Sequence, residues 1–178
     1  MSLTAQLVIG VYGIHLKEIA KLQAVLPEQV LYLQPYSTNR MSPFKRKKAD
    51  WPSFFLFSDT NNVNQITYVA KAHNWEDKVD LYENNKQRWD LISTVITNFM
   101  PNENEDGLYR YSESPEKLCR NLLSVTQMKK LPKPIHISDL IKTTDKKPHL
   151  ERSKPGGWSE IDLSDEQIEM INNLIGCD

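Results

Sequence analysis

Acidic and basic side chains that could hold a metal ion follow two apolar segments of the chain. Asp59 comes shortly after the apolar segment Phe54–Phe57. Glu76 and Lys78 come shortly after the next apolar segment, Ile66–Ala72. Two carboxylates and a lysine can bind Mg²⁺ and orient an attacking water molecule, as nucleases do. Because 25% of the residues are charged, such triplets also arise by chance, and we keep a Mg²⁺-dependent nuclease as an alternative hypothesis.

Other signatures of catalysis are absent from the sequence. It contains no glycine-rich phosphate loop, no GxSxG elbow and no HExxH pair. The histidines lack the spacing of metal ligands, and Cys119 has no recognisable catalytic partner. We therefore expect a binding protein more than an enzyme, with no cofactor, no metal ion and no catalytic residues. The histidines are His15, His73, His136 and His149.

Three tryptophans lie where apolar segments meet polar loops, at Trp51, Trp75 and Trp158. An aromatic ring in such a position can stack on a base, which contributes about 1 to 3 kcal/mol. Two such rings around a pocket would capture an extruded nucleotide, so we predict that these three bind a base. The alternative is that each ring covers one end of the core and leaves its indole N–H at the wet edge. Trp89 lies on a helical stripe and is predicted to be a core residue.

Clustered cations predict contacts with phosphate groups. The net charge is −1, so binding to nucleic acid requires a local basic patch and cannot come from bulk attraction. A run of four cations precedes Trp51 within an aperiodic segment, 34–52, and long loops of this kind are usually functional or disordered. The alternative is a linker with a solvated charge run. The predicted phosphate-binding residues are Lys45, Arg46, Lys47, Lys48, Arg152 and Lys154.

The first two thirds of the chain predict alternating strands and helices that would position these residues. Leu7–Tyr12 and Gln29–Leu33 have the composition of strands, and Lys17–Leu26 has helical spacing. The two apolar segments around Asp59 predict a β-hairpin from which Trp75 leaves towards solvent. Trp89–Phe99 predicts a helix that ends before Pro101.

The stretch from Leu122 to Trp158 organises the rest of the chain. Leu122 to Met128 predicts a strand, and Pro132 and Pro134 predict that this strand ends and turns, because proline has no backbone donor. A short helical turn follows around Ile137. The Pro155-Gly156-Gly157 segment then predicts a chain reversal that returns Trp158 and Ile161 to the core. Ser164 is a good N-cap for a final helix that ends near Ile175.

This order of elements resembles the C-terminal half of PUA-like domains of the EVE and YTH kind. It consists of a strand, a K-L-x-K-P-I segment, a short helix, a basic polar loop, a small residue before an aromatic one, and an L-S-D-E-Q-I helix. The resemblance covers the last third of the chain, with a looser echo in Phe54–Trp75. It implies an α+β fold, a small twisted β-barrel with flanking helices.

The resemblance also implies a function, which is to grip a modified base in DNA or RNA. In the PUA-like arrangement the cation-bearing loops would lie on one side, as a basic rim around an aromatic floor. The protein would then be a reader of modified RNA or the specificity module of a larger modification-dependent restriction or processing protein.

Length and composition set further expectations. A chain of 178 residues is expected to form one domain, residues 1–178, with a sizeable core. Cys119 and Cys177 form no CxxC pair, so we expect a reducing, cytoplasmic location. No apolar run approaches the roughly 20 residues of a membrane span, so we expect no membrane partner and no signal peptide. A third functional hypothesis is a protein-interaction domain that uses the acidic loop near Glu103.

Overall fold

The computed structural model of the protein describes residues 3–34, 50–101 and 121–175. These residues form an α+β fold, as predicted, with seven strands and four α-helices. The strands are β1 (Thr4–Val11), β2 (Leu31–Leu33), β3 (Phe54–Asp59), β4 (Asn62–Asp77), β5 (Asn121–His136), β6 (Ile141–Lys142) and β7 (Trp158–Asp162). The helices are α1 (Gly13–Val25), α2 (Lys78–Asn84), α3 (Lys86–Phe99) and α4 (Asp165–Leu174).

All seven strands belong to one mixed sheet with the order β2-β5-β4-β3-β1-β7-β6. Strands β1 and β3 are parallel, and every other neighbouring pair is antiparallel. The sheet is not closed, because β2 and β6 lie at its two edges. The predicted hairpin of β3 and β4 and the return of Trp158 to the sheet through β7 are both confirmed.

Each face of the sheet carries its own apolar core. Strand β3 shows the alternation directly, because Phe55 and Phe57 belong to one cluster and Phe54 and Leu56 to the other. Helices α1 and α3 cover the first face, and α4 covers the second through Ile171. Full burial of one such side chain stabilises the fold by about 1.5 to 3 kcal/mol. Helix α4 begins with a complete capping box between Ser164, the predicted N-cap, and Gln167.

The sheet is curved towards the first face. Trp75 lies on β4 and Trp158 on β7, and β3 and β1 separate these two strands. Three strand spacings correspond to about 14 Å across a flat sheet, yet the two ring centroids are only 4.9 Å apart. Strand β4 has 16 residues and shows several register shifts against β5, and such bulges increase bending and twist. The two rings therefore meet over the first face of the sheet.

The prediction that Pro132 and Pro134 end the fifth strand is wrong, because β5 continues through both to His136. Between two successive pairs of the ladder, one residue of β4 faces four residues of β5, and both prolines lie among those four. The other neighbour, β2, pairs with β5 only at its beginning. Pro132 and Pro134 lack a backbone N–H, but because neither is paired across the sheet, no hydrogen bond of the ladder is lost. The flanking pairs are Tyr68–Lys130 and Ile66–Ile135.

No helix in the described parts of the chain is both long and apolar enough to span a membrane.

Candidate nucleic-acid interface

Trp75 is buried, with 4% of its surface exposed, so the prediction that it leaves the hairpin towards solvent is wrong. Strand β4 runs five residues past Ala72 because it keeps pairing with β5, and Trp75 lies opposite Leu123. The indole N–H donates a hydrogen bond of 2.8 Å to the Asn121 side-chain oxygen. Trp75 thus fills the core and has its polar atom satisfied inside it.

The other two predicted tryptophans pack against the same apolar cluster but remain partly exposed. Trp158 meets Trp75 edge to face, with an interplanar angle of 71°. Trp51 is also partly buried and packs on this cluster. The structure therefore brings the three tryptophans to one face of the sheet. In that arrangement Trp75 is buried, and the partly exposed Trp158 packs against it.

The three residues of the proposed Mg²⁺ site do not form one site. Asp59 pairs with Asn62 at the hairpin end of the 16-residue strand β4, whereas Glu76 lies at the other end. Such a strand corresponds to roughly 50 Å of extended chain. Across the described ranges, no group of three or more His, Cys, Asp or Glu residues could hold a metal ion. The Asp59 carboxylate instead lies against Gly13, where α1 begins and a negative charge is favourable.

Glu76 and Lys78 form hydrogen bonds with other side chains of the protein. The Glu76 carboxylate receives a two-point hydrogen bond from Arg88, through Nε to one oxygen and through Nη2 to the other at 3.0 Å. Lys78 is fully buried, and its Nζ donates to the Gln34 side-chain oxygen at 2.5 Å. Burial raises the pKa of the Tyr32 hydroxyl, while the hydrogen bond from Arg88 acts in the opposite direction. We call Trp75, Glu76, Lys78 and their partners the Trp75 corner.

The loop before β7 is held in place at Arg152. Its backbone N–H donates to the Asn64 side-chain oxygen at 2.7 Å, and the Asn64 amide donates back to the Arg152 carbonyl at 3.0 Å. The guanidinium donates from Nη2 to the Gly156 carbonyl at 2.9 Å. In the part of the chain that the structure describes, Arg152 has no carboxylate partner. The guanidinium is therefore positioned without its charge being neutralised.

The two glycines beside Arg152 explain why the loop can lie so close to the sheet. Gly156 and Gly157 have φ of 106° and 96°, the left-handed region that the sequence predicts. They exchange hydrogen bonds with Ile9 on β1, at 2.9 and 3.1 Å. A side chain at Gly157 would meet the Arg152 guanidinium, because its Cβ would lie 3.3 Å from Nη2. The guanidinium thus lies against the residue that precedes Trp158.

Two other lysines near this loop are paired with carboxylates. Lys146 donates to Asp162 at 2.5 Å, and this hydrogen bond lowers the pKa of the Asp162 carboxyl. Lys142 pairs with Asp145 at 2.9 Å. Lys154, in contrast, is exposed and has no carboxylate partner among the described residues. We call the segment with Arg152, Lys154 and Trp158 the Arg152 corner.

Several predicted residues lie outside the described ranges. They are the phosphate-binding candidates Lys45, Arg46, Lys47 and Lys48, the two cysteines Cys119 and Cys177, and the acidic loop near Glu103.

The sequence pattern missed the residues that organise both corners. Asn64 appears only as part of a turn-rich segment, yet it fixes Arg152 at a sequence distance of 88 residues. Asn121 and Arg88 are equally inconspicuous, although they fix Trp75 and Glu76. An asparagine or arginine gives no sign of its partner when that partner lies on another strand.

No family model, curated protein or solved structure matches the chain significantly.

Proposed function

We propose that the protein binds nucleic acid at the Arg152 corner. The observation that supports this most directly is the position of Trp158, a partly exposed ring that rests on the buried Trp75. The Arg152 guanidinium, without a carboxylate partner among the described residues, lies against Gly157, one residue before that ring. A ring and a cation on one loop segment are the groups that bind single-stranded nucleic acid, the ring through a base and the cation through the backbone.

The two groups serve different parts of a nucleotide. Arg152 offers a planar fork of N–H donors that matches the oxygens of a phosphate. Trp158 offers a ring face for the base. Because Trp158 already packs against Trp75, its side chain loses less conformational entropy when a base stacks on it. Lys154 on the same loop adds a second positive charge. Binding is therefore expected to depend on salt.

Trp51 and the cations before it extend this proposal. Trp51 packs on the same cluster as Trp158, and Lys45–Lys48 precede it by three to six positions in the sequence. The resemblance to EVE and YTH domains implies that such rings enclose a modified base, and the curved sheet is compatible with a PUA-like arrangement. We infer a cytoplasmic reader of modified DNA or RNA, with Trp51 and Trp158 as base-binding residues and Trp75 as their support.

The test is a titration of the full chain with a fluorescein-labelled single-stranded oligonucleotide, followed by anisotropy at several salt concentrations. We expect binding whose log K falls linearly with log salt, and no cleavage of the oligonucleotide. Lys86→Ala is the matched control, because Lys86 is ion-paired with Asp90 on α3 and should not affect the slope. Absence of salt-dependent binding would reject the proposal and favour a protein-interaction domain, and turnover of the oligonucleotide would favour a nuclease.

A further inference from the structure

A histidine and a serine make a hydrogen-bonded pair beneath the loop of the Arg152 corner. His149 is buried, with 6% of its surface exposed, and Ser159 on β7 is partly exposed. Successive residues of a strand point to opposite faces, so Ser159 lies on the opposite face of β7 from Trp158. The pair is therefore separate from the Trp158 ring, although both lie next to the loop that carries Arg152.

The contacts of the imidazole determine which nitrogen carries the proton. Nδ1 lies 2.8 Å from the Leu150 carbonyl oxygen, and Nε2 lies 3.0 Å from the Ser159 hydroxyl. A carbonyl can only accept a hydrogen bond, so Nδ1 is the donor and bears the hydrogen of the neutral ring. Nε2 is then the acceptor and receives the Ser159 O–H. This is the arrangement of a nucleophile, a general base and a group that orients the base.

We propose that Ser159 is a nucleophile activated by His149, and that the pair acts on acyl esters that carry a carboxylate or phosphate group. The Ser159 Oγ attacks the acyl carbon as its proton passes to His149 Nε2. The bond to the alcohol breaks, and the alcohol leaves with that proton. Water then hydrolyses the acyl-serine by the same proton path in reverse, which restores both residues. Arg152, whose guanidinium lies against Gly157 two residues before Ser159, attracts the anionic group.

A second serine–histidine pair in the protein provides a matched comparison. Ser138 Oγ lies 2.6 Å from His136 Nδ1, and His136 Nε2 pairs with Glu151 at 3.1 Å. The Ser138 backbone N–H also donates to the same Nδ1, as the cap of a short 3-10 turn, Ile137–Asp139. The Nδ1 acceptor is thus already used by the backbone, and Ser138 is exposed whereas His136 is partly buried. We expect Ser138 to be unreactive although its distance to a histidine is shorter.

The test is labelling of the full chain with a fluorophosphonate probe, read by intact mass and peptide mapping. The Oγ–P bond forms, fluoride leaves from phosphorus, and the serine proton passes to His149. We expect one adduct, on Ser159, which is absent in Ser159→Ala and unchanged in rate in Ser138→Ala. His149→Gln should slow labelling by about 100-fold or more, the usual contribution of a general base.

Circular dichroism of each variant shows whether a loss of labelling results from unfolding or from the loss of a reactive group. If His149→Gln unfolds, Ser159→Ala still tests whether Ser159 is the labelled residue, because this variant leaves the hydrogen bond from His149 to Leu150 in place. No adduct on the wild-type chain, an adduct on Ser138, or equal labelling of Ser159→Ala would each overturn the proposal. The oligonucleotide titration does not depend on this result, so the two proposals fail separately.

Discussion

The Trp75 corner and the Arg152 corner contain similar residue types and use them in opposite ways. In the Trp75 corner the indole N–H is bonded to Asn121 and the carboxylate of Glu76 is bonded to Arg88. In the Arg152 corner the Asn64 side chain holds the Arg152 backbone, and the guanidinium donates to the Gly156 carbonyl and has no carboxylate partner within the described residues. The two corners meet where Trp75 packs against Trp158.

The difference shows how one apolar cluster can support both folding and binding. A polar group that is satisfied inside the protein adds stability and offers nothing to a ligand. A charge that is positioned but not neutralised adds little stability, yet it can bind a ligand without first breaking an internal contact. We therefore expect substitutions in the Trp75 corner to change the free energy of unfolding and substitutions in the Arg152 corner to change affinity.

The largest effect should come from Trp75→Ala. Removal of this buried ring leaves a cavity beside Phe55 and Trp158 and should lower the free energy of unfolding by about 3 to 5 kcal/mol. Urea denaturation measures this loss, and Trp75→Phe separates the ring from the hydrogen bond to Asn121. A small loss of stability together with a large loss of oligonucleotide affinity would reverse the roles of the two corners.

Trp158→Ala should mainly reduce affinity. Loss of a stacking ring weakens binding by about 1 to 3 kcal/mol, which is about 5- to 150-fold. Anisotropy titration measures this change, and Trp89→Phe, a core substitution on α3, is the control that should leave affinity unchanged. A variant that binds the oligonucleotide as tightly as the wild type would remove Trp158 from the interface.

Arg152→Ala should have a smaller effect that depends on salt. Loss of one phosphate contact reduces the slope of log K against log salt by about 0.7 on single strands, which is about five-fold in affinity at 0.1 M salt. Asn64→Ala is the matched control, because it releases the backbone of Arg152 and keeps the charge. An unchanged slope in Arg152→Ala would show that the guanidinium contacts no phosphate.

Tyr32→Phe should give the smallest effect, and one that depends on pH. It removes a hydrogen bond with Arg88, which contributes about 0.5 to 1.5 kcal/mol to the free energy of unfolding. Burial raises the folded-state pKa of Tyr32 above its usual value of 10.0. The stability that the Tyr32 hydroxyl contributes is therefore complete below pH 10 and is lost as the pH rises through the folded pKa. Urea denaturation at pH 8 and above pH 10 measures both. A wild-type advantage that persists at high pH would contradict this account.

The sequence predicts the elements of the fold better than the contacts that make its corners. The β3–β4 hairpin and helix α4 follow from local patterns of apolar residues and caps, so both are recovered. The end of β5 is mispredicted because proline is excluded only from a regular ladder, and the bulge opposite β4 is set by pairing. The burial of Trp75 depends on an asparagine 46 residues away, a partner that no local pattern can identify.

Photocrosslinking of a bound oligonucleotide that contains 5-iodouracil tests the central claim most directly, since this base crosslinks to aromatic rings on which it stacks. Peptide mapping should place the crosslink on Trp158 or Trp51, and excess unlabelled oligonucleotide should abolish it. Crosslinks confined to the Lys86–Phe99 helix, or none at saturating oligonucleotide, would contradict the assignment of binding to the Arg152 corner.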